Sequence, residues 1–125
     1  MRKIKTRRLK SYFYYKDKRG FIQGIFNSFK IEESNIIFSK SDKLVRGEHC
    51  HKKMTEILHV LDGRVILNVS DYKKKTEVIK RFKLKKGDTV VIYPGEYHWT
   101  TNSKNSRWIN FLTKKFNQKK PDLLN

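Results

Sequence analysis

The chain has 125 residues, of which 37% are hydrophobic and 13% aromatic, and its formal net charge is +18. This length suits one domain with a single core, and the hydrophobic content argues against a disordered chain. No stretch approaches the run of about 20 apolar residues that a membrane span requires. The basic residues 1–5 are not followed by the apolar stretch that a signal peptide would have. The lone cysteine excludes an internal disulfide and favours a cytoplasmic protein.

The first third of the chain predicts short strands. Residues 4–15 carry four consecutive aromatic rings, Tyr12 to Tyr15, which favour a strand packed into the core or against a dimer partner over a platform for stacking nucleobases. A turn is predicted at 17–20 and strands at 21–29 and 35–38. A loop at 41–43 leads to Arg46.

The remainder continues in the same way. Strands are predicted at 55–61, 64–69, 78–84, 89–92 and 106–113, with a hairpin turn at Asp62-Gly63, a charged loop at 71–75 and a bend at 93–96 just before His98. The polar tail 114–125 is predicted to be a short helix or a loose end. Together with the segment around His49, roughly nine short strands indicate an all-β antiparallel barrel or jelly roll, whose interior can hold one small ligand.

Three of the four histidines form the main functional pattern. His49 and His51 alternate, so on a strand both side chains project from the same face. Glu56 follows five residues later, and His98 follows Gly95 in a second element that ends at Asn102. These spacings resemble the two signature motifs of the cupin superfamily. The resemblance implies one cupin domain over residues 1–125, with a jelly-roll barrel at roughly 10–113.

The remaining histidine serves as a comparison. His59 alternates to the opposite face of its strand from Glu56, and we predict a structural role for it.

Two kinds of chemistry suit imidazoles that converge with a carboxylate. His49, His51, Glu56 and His98 could hold a divalent metal such as Zn, Fe, Mn or Ni. Without a metal, an imidazole can remove a proton next to a carbonyl, because it titrates near neutral pH. The residues themselves leave both possibilities open.

A longer motif narrows the resemblance. The run Arg46-Gly47-x-His49-x-His51-Lys52 resembles the RGxHxHK motif of the nucleotide-sugar 3,4-ketoisomerases, small cupins related to the dTDP-4-dehydrorhamnose 3,5-epimerases. Weaker similarities lie at 17–20, at Tyr97-His98 and at Asp122-Leu123. The resemblance implies an isomerase or epimerase that needs no cofactor and acts on a dTDP-4-keto-6-deoxyhexose for lipopolysaccharide or another surface glycan.

The same resemblance implies roles for individual residues. His49, His51 and Arg46 would be catalytic. The substrate would be bound by Arg46 again and by four further residues, namely Asn35, Lys52, Tyr97 and His98. The resembling enzymes are dimers, which implies a homodimer here.

Two departures from the family pattern keep alternatives open. The family carries a tyrosine on the strand before the HxH motif, where this chain has residues 35–38 without one. It commonly has glutamine at the position of Glu56, and a glutamate there completes the metal-binding set. A metallocupin is therefore the second hypothesis.

The high positive charge supports a third hypothesis, a non-enzymatic basic module that binds nucleic acid. The lysines are spread from Lys3 to Lys120 rather than gathered on one element, so a solvated basic surface is favoured over a nucleic-acid site. Such a surface would also attract an anionic diphosphate substrate.

Overall fold

The computed structural model describes residues 3–42 and 44–124. Positions 1, 2 and 125 of the predicted domain, and Lys43 of the predicted loop 41–43, lie outside the described residues. The described residues form eleven strands and one short 3₁₀ helix at Tyr72–Lys74. The strands are β1 (Arg7–Leu9), β2 (Phe13–Asp17), β3 (Gly20–Gly24), β4 (Glu33–Ser39), β5 (Arg46–His49), β6 (Glu56–Asp62), β7 (Arg64–Asp71), β8 (Lys80–Lys85), β9 (Thr89–Ile92), β10 (Glu96–Asn102) and β11 (Ser106–Leu112).

The strands form two sheets and a separate hairpin, and every pairing is antiparallel. One sheet has the order β1-β9-β6-β11-β4, the other has the order β5-β10-β7-β8, and β2 pairs only with β3. This is a jelly-roll arrangement, which confirms the all-β cupin prediction. No helix in 3–42 or 44–124 is long and apolar enough to cross a membrane.

The core lies between the two sheets. Inward-facing residues of β6 and β7 alternate with outward-facing ones, so Leu58, Val65 and Leu67 become almost completely buried and pack with Trp108 of β11. Each such side chain contributes about 1.5–3 kcal/mol of burial free energy. This core occupies one end of the space between the sheets and leaves the other end open.

The N-terminal prediction was wrong in part. Residues 4–15 form two separate strands, and the four aromatic rings lie on the β2–β3 hairpin, where each is at least 46% exposed. The monomer therefore does not bury them in its core. Ile4 and Thr6 are the buried residues of this segment instead.

Besides shifts of one or two residues at other strand ends, three segments differ from the predictions. The strand expected at 21–29 ends at Gly24, and Phe26 then packs edge-on against Phe111 with ring centroids 5.1 Å apart. No strand was predicted at 96–102, because the inward-facing residues His98, Thr100 and Asn102 are polar, so the sequence lacks the alternation of apolar and polar residues that marks a strand. Over residues 114–124 the predicted tail contains no helix, and its end is held in place where Leu123 forms an antiparallel bridge with His51.

Candidate active site

The open end of the jelly roll forms a cavity of about 670 Å³. This volume is within the range of small-molecule sites, roughly 300–1,000 Å³. Both sheets contribute to the wall. The lining residues are Glu33, Asn35, Ile37, Arg46, Gly47, His49, His51, Met54, Glu56, Leu58, His98, Thr100, Trp108, Asn110, Leu112, Phe116 and Leu123.

Three histidines meet in this cavity, as the spacing predicted. The ring centroid of His49 lies 4.7 Å from that of His51 and 4.6 Å from that of His98. Glu56 joins them, and one potential ligand atom from each of the four residues lies within 4.8 Å of all the others. The sequence pattern therefore identified a real cluster, while the roles of its members remain predictions.

A β-bulge brings Arg46 to the same face. His98 pairs with His49, but the next residue, Trp99, pairs with Gly47, so Glu48 is the extra residue on β5. Gly47 and Glu48 both have positive φ angles, 92° and 55°. Because one extra residue reverses the alternation, Arg46 lies opposite inward-facing Thr100 and lines the cavity.

Gly47 is required at this bulge. A Cβ there would lie 3.0 Å from the carbonyl oxygen of His98 and 3.3 Å from Cα of Trp99. A side chain would therefore meet backbone atoms and would also have to adopt an unfavourable positive φ.

Glu56 is the hub of the histidine cluster. His51 Nε2 donates to Glu56 Oε1 at 3.2 Å, and His98 Nε2 lies 3.5 Å from the same oxygen. Asn110 Nδ2 donates to Glu56 Oε2 at 3.4 Å. A buried carboxylate held in this way is stabilised in its charged form.

The protonation of this pair follows from those contacts. Burial acts to raise the pKa of Glu56, but the hydrogen bonds and charges of His51 and His98 hold it well below its usual value. Burial acts to lower the pKa of His51, but the hydrogen bond and charge of Glu56 raise it overall. His51 and Glu56 thus favour an imidazolium–carboxylate ion pair.

Backbone carbonyls hold the other ring nitrogens of two histidines. His51 Nδ1 donates to the carbonyl oxygen of Asp122 at 3.2 Å, and His98 Nδ1 donates to that of Glu96 at 3.0 Å. Both rings therefore present Nε2 to the cavity. The side chain of Glu96 is itself buried and accepts from the backbone N–H of Lys5 and from Thr6 Oγ1.

His49 is in a different state from His51. Burial lowers its pKa to about 4, with a further contribution from the neighbouring charge of His98. Its Nε2 is buried and has no hydrogen-bond partner within the described part of the chain. At neutral pH, His49 is therefore a neutral imidazole with a free lone pair, which is what a general base requires.

Of the remaining predicted site residues, some line the cavity and others do not. Asn35 lines the cavity, and Arg46 lines it while donating to the carbonyl oxygen of Phe38 at 3.4 Å. Lys52 and Tyr97 are not among the lining residues. Tyr97 alternates with His98 on β10, and its ring contacts Trp99 and the ammonium of Lys75 on the other face. The predicted substrate contacts of Lys52 and Tyr97 gain no support from these positions.

Sequence reasoning missed three polar residues of the cavity, namely Glu33, Thr100 and Asn110. Thr100 and Asn110 both line it, and Asn110 Oδ1 is buried without a hydrogen-bond partner in the described residues. A signal for Asn110 was available, since it lies two residues from both Trp108 and Leu112 and so shares the inward face of β11 with them. No local signal pointed to the backbone role of Asp122.

The structural role predicted for His59 is confirmed. It is 5% exposed, and its Nδ1 makes a 2.8 Å hydrogen bond with Thr89 Oγ1. It does not line the cavity.

Comparison with known proteins identifies the family. Residues 3–119 match the sequence profile of the family described as WxcM-like, C-terminal (FdtA). The chain belongs to this family. No curated protein matches the chain significantly.

Solved structures share the fold of this WxcM-like protein. A 3,4-ketoisomerase from Helicobacter canadensis superposes with a TM-score of 0.84 at 18% identity, covering 98% of this chain and 91% of that one. A variant of the 3,4-ketoisomerase QdtA from Thermoanaerobacterium thermosaccharolyticum, solved with TDP-4-keto-6-deoxyglucose, gives 0.80 at 18% identity, with coverage of 95% and 86%.

A related epimerase also has this fold. The dTDP-4-dehydrorhamnose 3,5-epimerase of Bacillus anthracis, solved with TDP and pyrophosphate, gives a TM-score of 0.75 at 14% identity. The superposition covers 92% of this chain and 75% of the epimerase. Both predicted relationships, to the ketoisomerases and to the epimerases, are confirmed at the level of fold.

Proposed function

We propose that this protein is a nucleotide-sugar isomerase that converts a dTDP-4-keto-6-deoxyhexose to its 3-keto isomer. The observation that carries the proposal is that one cavity holds both His49, whose Nε2 has no hydrogen-bond partner among the described residues, and His51, which is hydrogen-bonded to Glu56 at 3.2 Å. Burial lowers the pKa of His49 to about 4, and Glu56 raises the pKa of His51. Moving a ketone from C4 to C3 requires one group that accepts a proton from carbon and one that donates a proton to oxygen. The shared fold with 3,4-ketoisomerases, one of them solved with TDP-4-keto-6-deoxyglucose, supports the substrate class.

The proposed steps assign a task to each group. His49 Nε2 takes the proton from C3, and the electron pair of the C3–H bond forms an enediol with C4. His51 donates its proton to the C4 oxygen as negative charge develops there. His49 then returns its proton to C4, while the C3 hydroxyl gives its proton back to His51 and becomes the new ketone. All protons are conserved, and no oxidant or reductant is consumed.

Glu56 and Arg46 support these steps through charge. The Glu56 carboxylate keeps His51 protonated through the 3.2 Å hydrogen bond. The Arg46 guanidinium lies on the cavity wall, where it can bind the diphosphate or the developing oxyanion with charge-assisted hydrogen bonds. The net charge of +18 attracts an anionic substrate to the protein.

Hydrogen exchange at carbon tests this function directly. In heavy water, dTDP-4-keto-6-deoxyglucose should yield the 3-keto product, as followed by NMR. Where the proton held by His49 exchanges with solvent before it is returned, deuterium should appear at C4 of the product and at C3 of substrate re-formed by the reverse step. The His49→Asn and His51→Asn variants should show neither product nor deuterium. Absence of both the 3-keto product and exchange with every 4-keto nucleotide sugar offered to the wild-type protein would contradict the proposal.

A divalent metal is a second candidate for the same cavity, and the geometry of the donors favours it. His51 and His98 donate Nδ1–H to backbone carbonyls and turn Nε2 toward Glu56, as metal-ligating histidines do. The unpartnered Nε2 of His49 provides a third nitrogen. These four residues would hold Zn²⁺, Fe²⁺, Mn²⁺ or Ni²⁺, and a bound cation would polarise a substrate carbonyl as a Lewis acid.

Metal analysis of untagged protein separates the two candidates. Bound metal near one equivalent, lost in Glu56→Gln, would support the metal centre. Protein that stays empty and shows no rise in melting temperature with any of the four ions would support acid–base chemistry without a cofactor.

We also propose that the protein works as a cytoplasmic homodimer that supplies sugars for lipopolysaccharide or another surface glycan. The hairpin supports pairing, because Tyr12, Tyr14, Phe21 and Ile22 are each more than half exposed, and large exposed apolar patches mark interaction sites. The single buried cysteine suits a reducing compartment.

A further inference from the structure

Residues 121–124 fold back onto the segment that follows β5 and contains His51. Leu124 N–H donates to the carbonyl oxygen of Cys50 at 3.0 Å, and Leu123 forms an antiparallel bridge with His51. The side chain of Leu123 lines the cavity. This segment, which we call the clasp, therefore forms part of the wall beside His51.

Asp122 anchors the clasp. One oxygen of its carboxylate accepts two backbone hydrogen bonds, from Lys53 N–H at 3.0 Å and from Met54 N–H at 2.8 Å. Burial acts to raise the pKa of Asp122, but these two bonds lower it overall, so the carboxylate is charged at neutral pH. The side chain thereby fixes the clasp to the loop that joins His51 to Glu56.

The backbone of the same residue orients the histidine. Its carbonyl oxygen accepts the Nδ1–H of His51, and this bond leaves only Nε2 to face Glu56 Oε1. If the carbonyl were absent, the ring could rotate or exchange its tautomer, and the hydrogen bond to Glu56 would be lost. The side chain and the carbonyl of Asp122 thus act in sequence, the first fixing the position of the second.

We propose that Asp122 is a positioning residue for His51, acting through the clasp, and that residues 121–124 are a functional part of the active site. The consequence for turnover rests on the proposed isomerase function. The consequence for the His51 ring does not, because it can be observed without a substrate.

The test compares Asp122→Ala with Asp88→Ala. Asp88 is a matched control, since its carboxylate also binds a backbone donor, Lys85 N–H at 2.9 Å, and a side chain, Arg8, but it does not line the cavity. Histidine ring ¹⁵N spectra report which nitrogen of His51 carries a hydrogen-bonded proton. Steady-state kinetics use dTDP-4-keto-6-deoxyglucose.

For Asp122→Ala we expect loss of the Nδ1–H hydrogen-bond signature of His51 and a fall in kcat of about 10- to 100-fold with KM nearly unchanged, because a small misplacement of a reacting group is costly. Asp122→Asn, which keeps an acceptor oxygen, should recover part of both. Asp88→Ala should match the wild type in both.

Other outcomes overturn the proposal. A folded Asp122→Ala with an unchanged His51 signature would do so, as would an equal loss of kcat in Asp88→Ala. If Asp122→Ala does not fold, Leu124→Pro leaves the Asp122 side chain in place but removes the N–H donated to Cys50 and restricts the backbone of Leu123, and an unaltered His51 ring in that variant would count against the clasp. If the wild type itself does not turn over the sugar, the proposed function fails, while the ring spectra still decide the role of Asp122.

Discussion

The cavity and the β2–β3 hairpin both gather rings, yet they differ in what surrounds those rings. In the cavity, His51 and His98 are each tied through Nδ1 to a backbone carbonyl and both face Glu56. On the hairpin, Tyr14 stacks on Phe21 at 5.6 Å, but both rings stay 58% exposed. The monomer thus assembles its histidine cluster from its own segments, whereas its hairpin presents an exposed apolar surface.

The strongest test of the cavity side of this comparison removes its imidazoles. His49→Asn and His51→Asn should each lower kcat by about 100- to 10,000-fold, the usual contribution of general acid–base groups, while the protein stays folded. The measurement is turnover of dTDP-4-keto-6-deoxyglucose by NMR. His59→Asn is the control, since it removes a buried imidazole outside the cavity. It should cost stability but retain kcat, and an equal loss of kcat there would contradict the assignment.

The cavity and the hairpin each contain a glycine with a positive φ angle, and the two glycines differ in what surrounds them. A Cβ on Gly47 would meet the backbone of His98 and Trp99, whereas a Cβ on Gly20 in the hairpin would meet nothing within 4 Å. Gly47→Ala should therefore shift β5 and lower kcat/KM by about tenfold or more. Gly20→Ala should cost only the conformational strain, about 1–2 kcal/mol in the free energy of unfolding. Steady-state kinetics and urea unfolding of the two variants check these expectations. Unchanged kinetics in Gly47→Ala would show that the bulge does not position the site.

The contrast between His49 and His51 predicts the pH dependence. Because the pKa of His49 is lowered from 6.5 to about 4, the acid limb of kcat/KM should lie near pH 4. The pKa of His51 is raised, so the alkaline limb should lie above pH 6.5. An acid limb at pH 6.5 would show that His49 is not the base.

The pKa shifts of His49 and His51 change the free energy of unfolding with pH in opposite directions. Between pH 4 and 6.5 the unfolded chain binds more protons at His49 than the folded one, so the contribution of His49 to the free energy of unfolding falls as pH falls through this window. The contribution of His51 is present below pH 6.5 and is lost as pH rises through its raised folded value. The free energy of unfolding, measured by urea titration at several pH values, should change with pH at different rates in the wild type and in His49→Asn between pH 4 and 6.5.

The smallest expected effect on the folded monomer comes from the hairpin. Tyr14→Ser combined with Phe21→Ser should change the free energy of unfolding of the monomer by less than about 1 kcal/mol, because exposed positions contribute little. The pair should nevertheless weaken self-association, as measured by sedimentation. Ile36→Ser on β4, another exposed apolar position, is the control. A wild-type protein that is monomeric at high concentration would contradict the role proposed for the hairpin.

Much of the site could be predicted because its signals are local. His49 and His51 are two residues apart and Glu56 lies just beyond the following loop, so their spacing predicted a shared face, although β5 ends at His49 and His51 lies beyond it. The strand at 89–92 was predicted with the bounds that the structure has, since three of its four residues are apolar and turn residues flank it. The strand at 96–102 was not predicted, because the polar side chains that serve the cavity replace the apolar alternation that marks a strand.

Other features depend on contacts across long separations in sequence. The carbonyl of Asp122 reaches His51 across 71 residues, and the carboxylate of Glu96 accepts from Thr6 across 90. No pattern within a short window contains such information. The exposure of the hairpin was missed for a similar reason, since aromatic residues favour both a core strand and an interface strand.

The sequence by itself determined that the chain forms an antiparallel β-domain, because short alternating segments separated by turn residues favour one, and its resemblance to the cupin motifs placed three imidazoles, a carboxylate and Arg46 in one site. Only the tertiary structure showed how Arg46 reaches them, since the extra residue at Glu48 reverses the alternation through a pairing with β10. It also decided that the pKa of His49 is lowered and that of His51 raised. Those shifts depend on burial and on hydrogen bonds from distant segments, which no local pattern encodes.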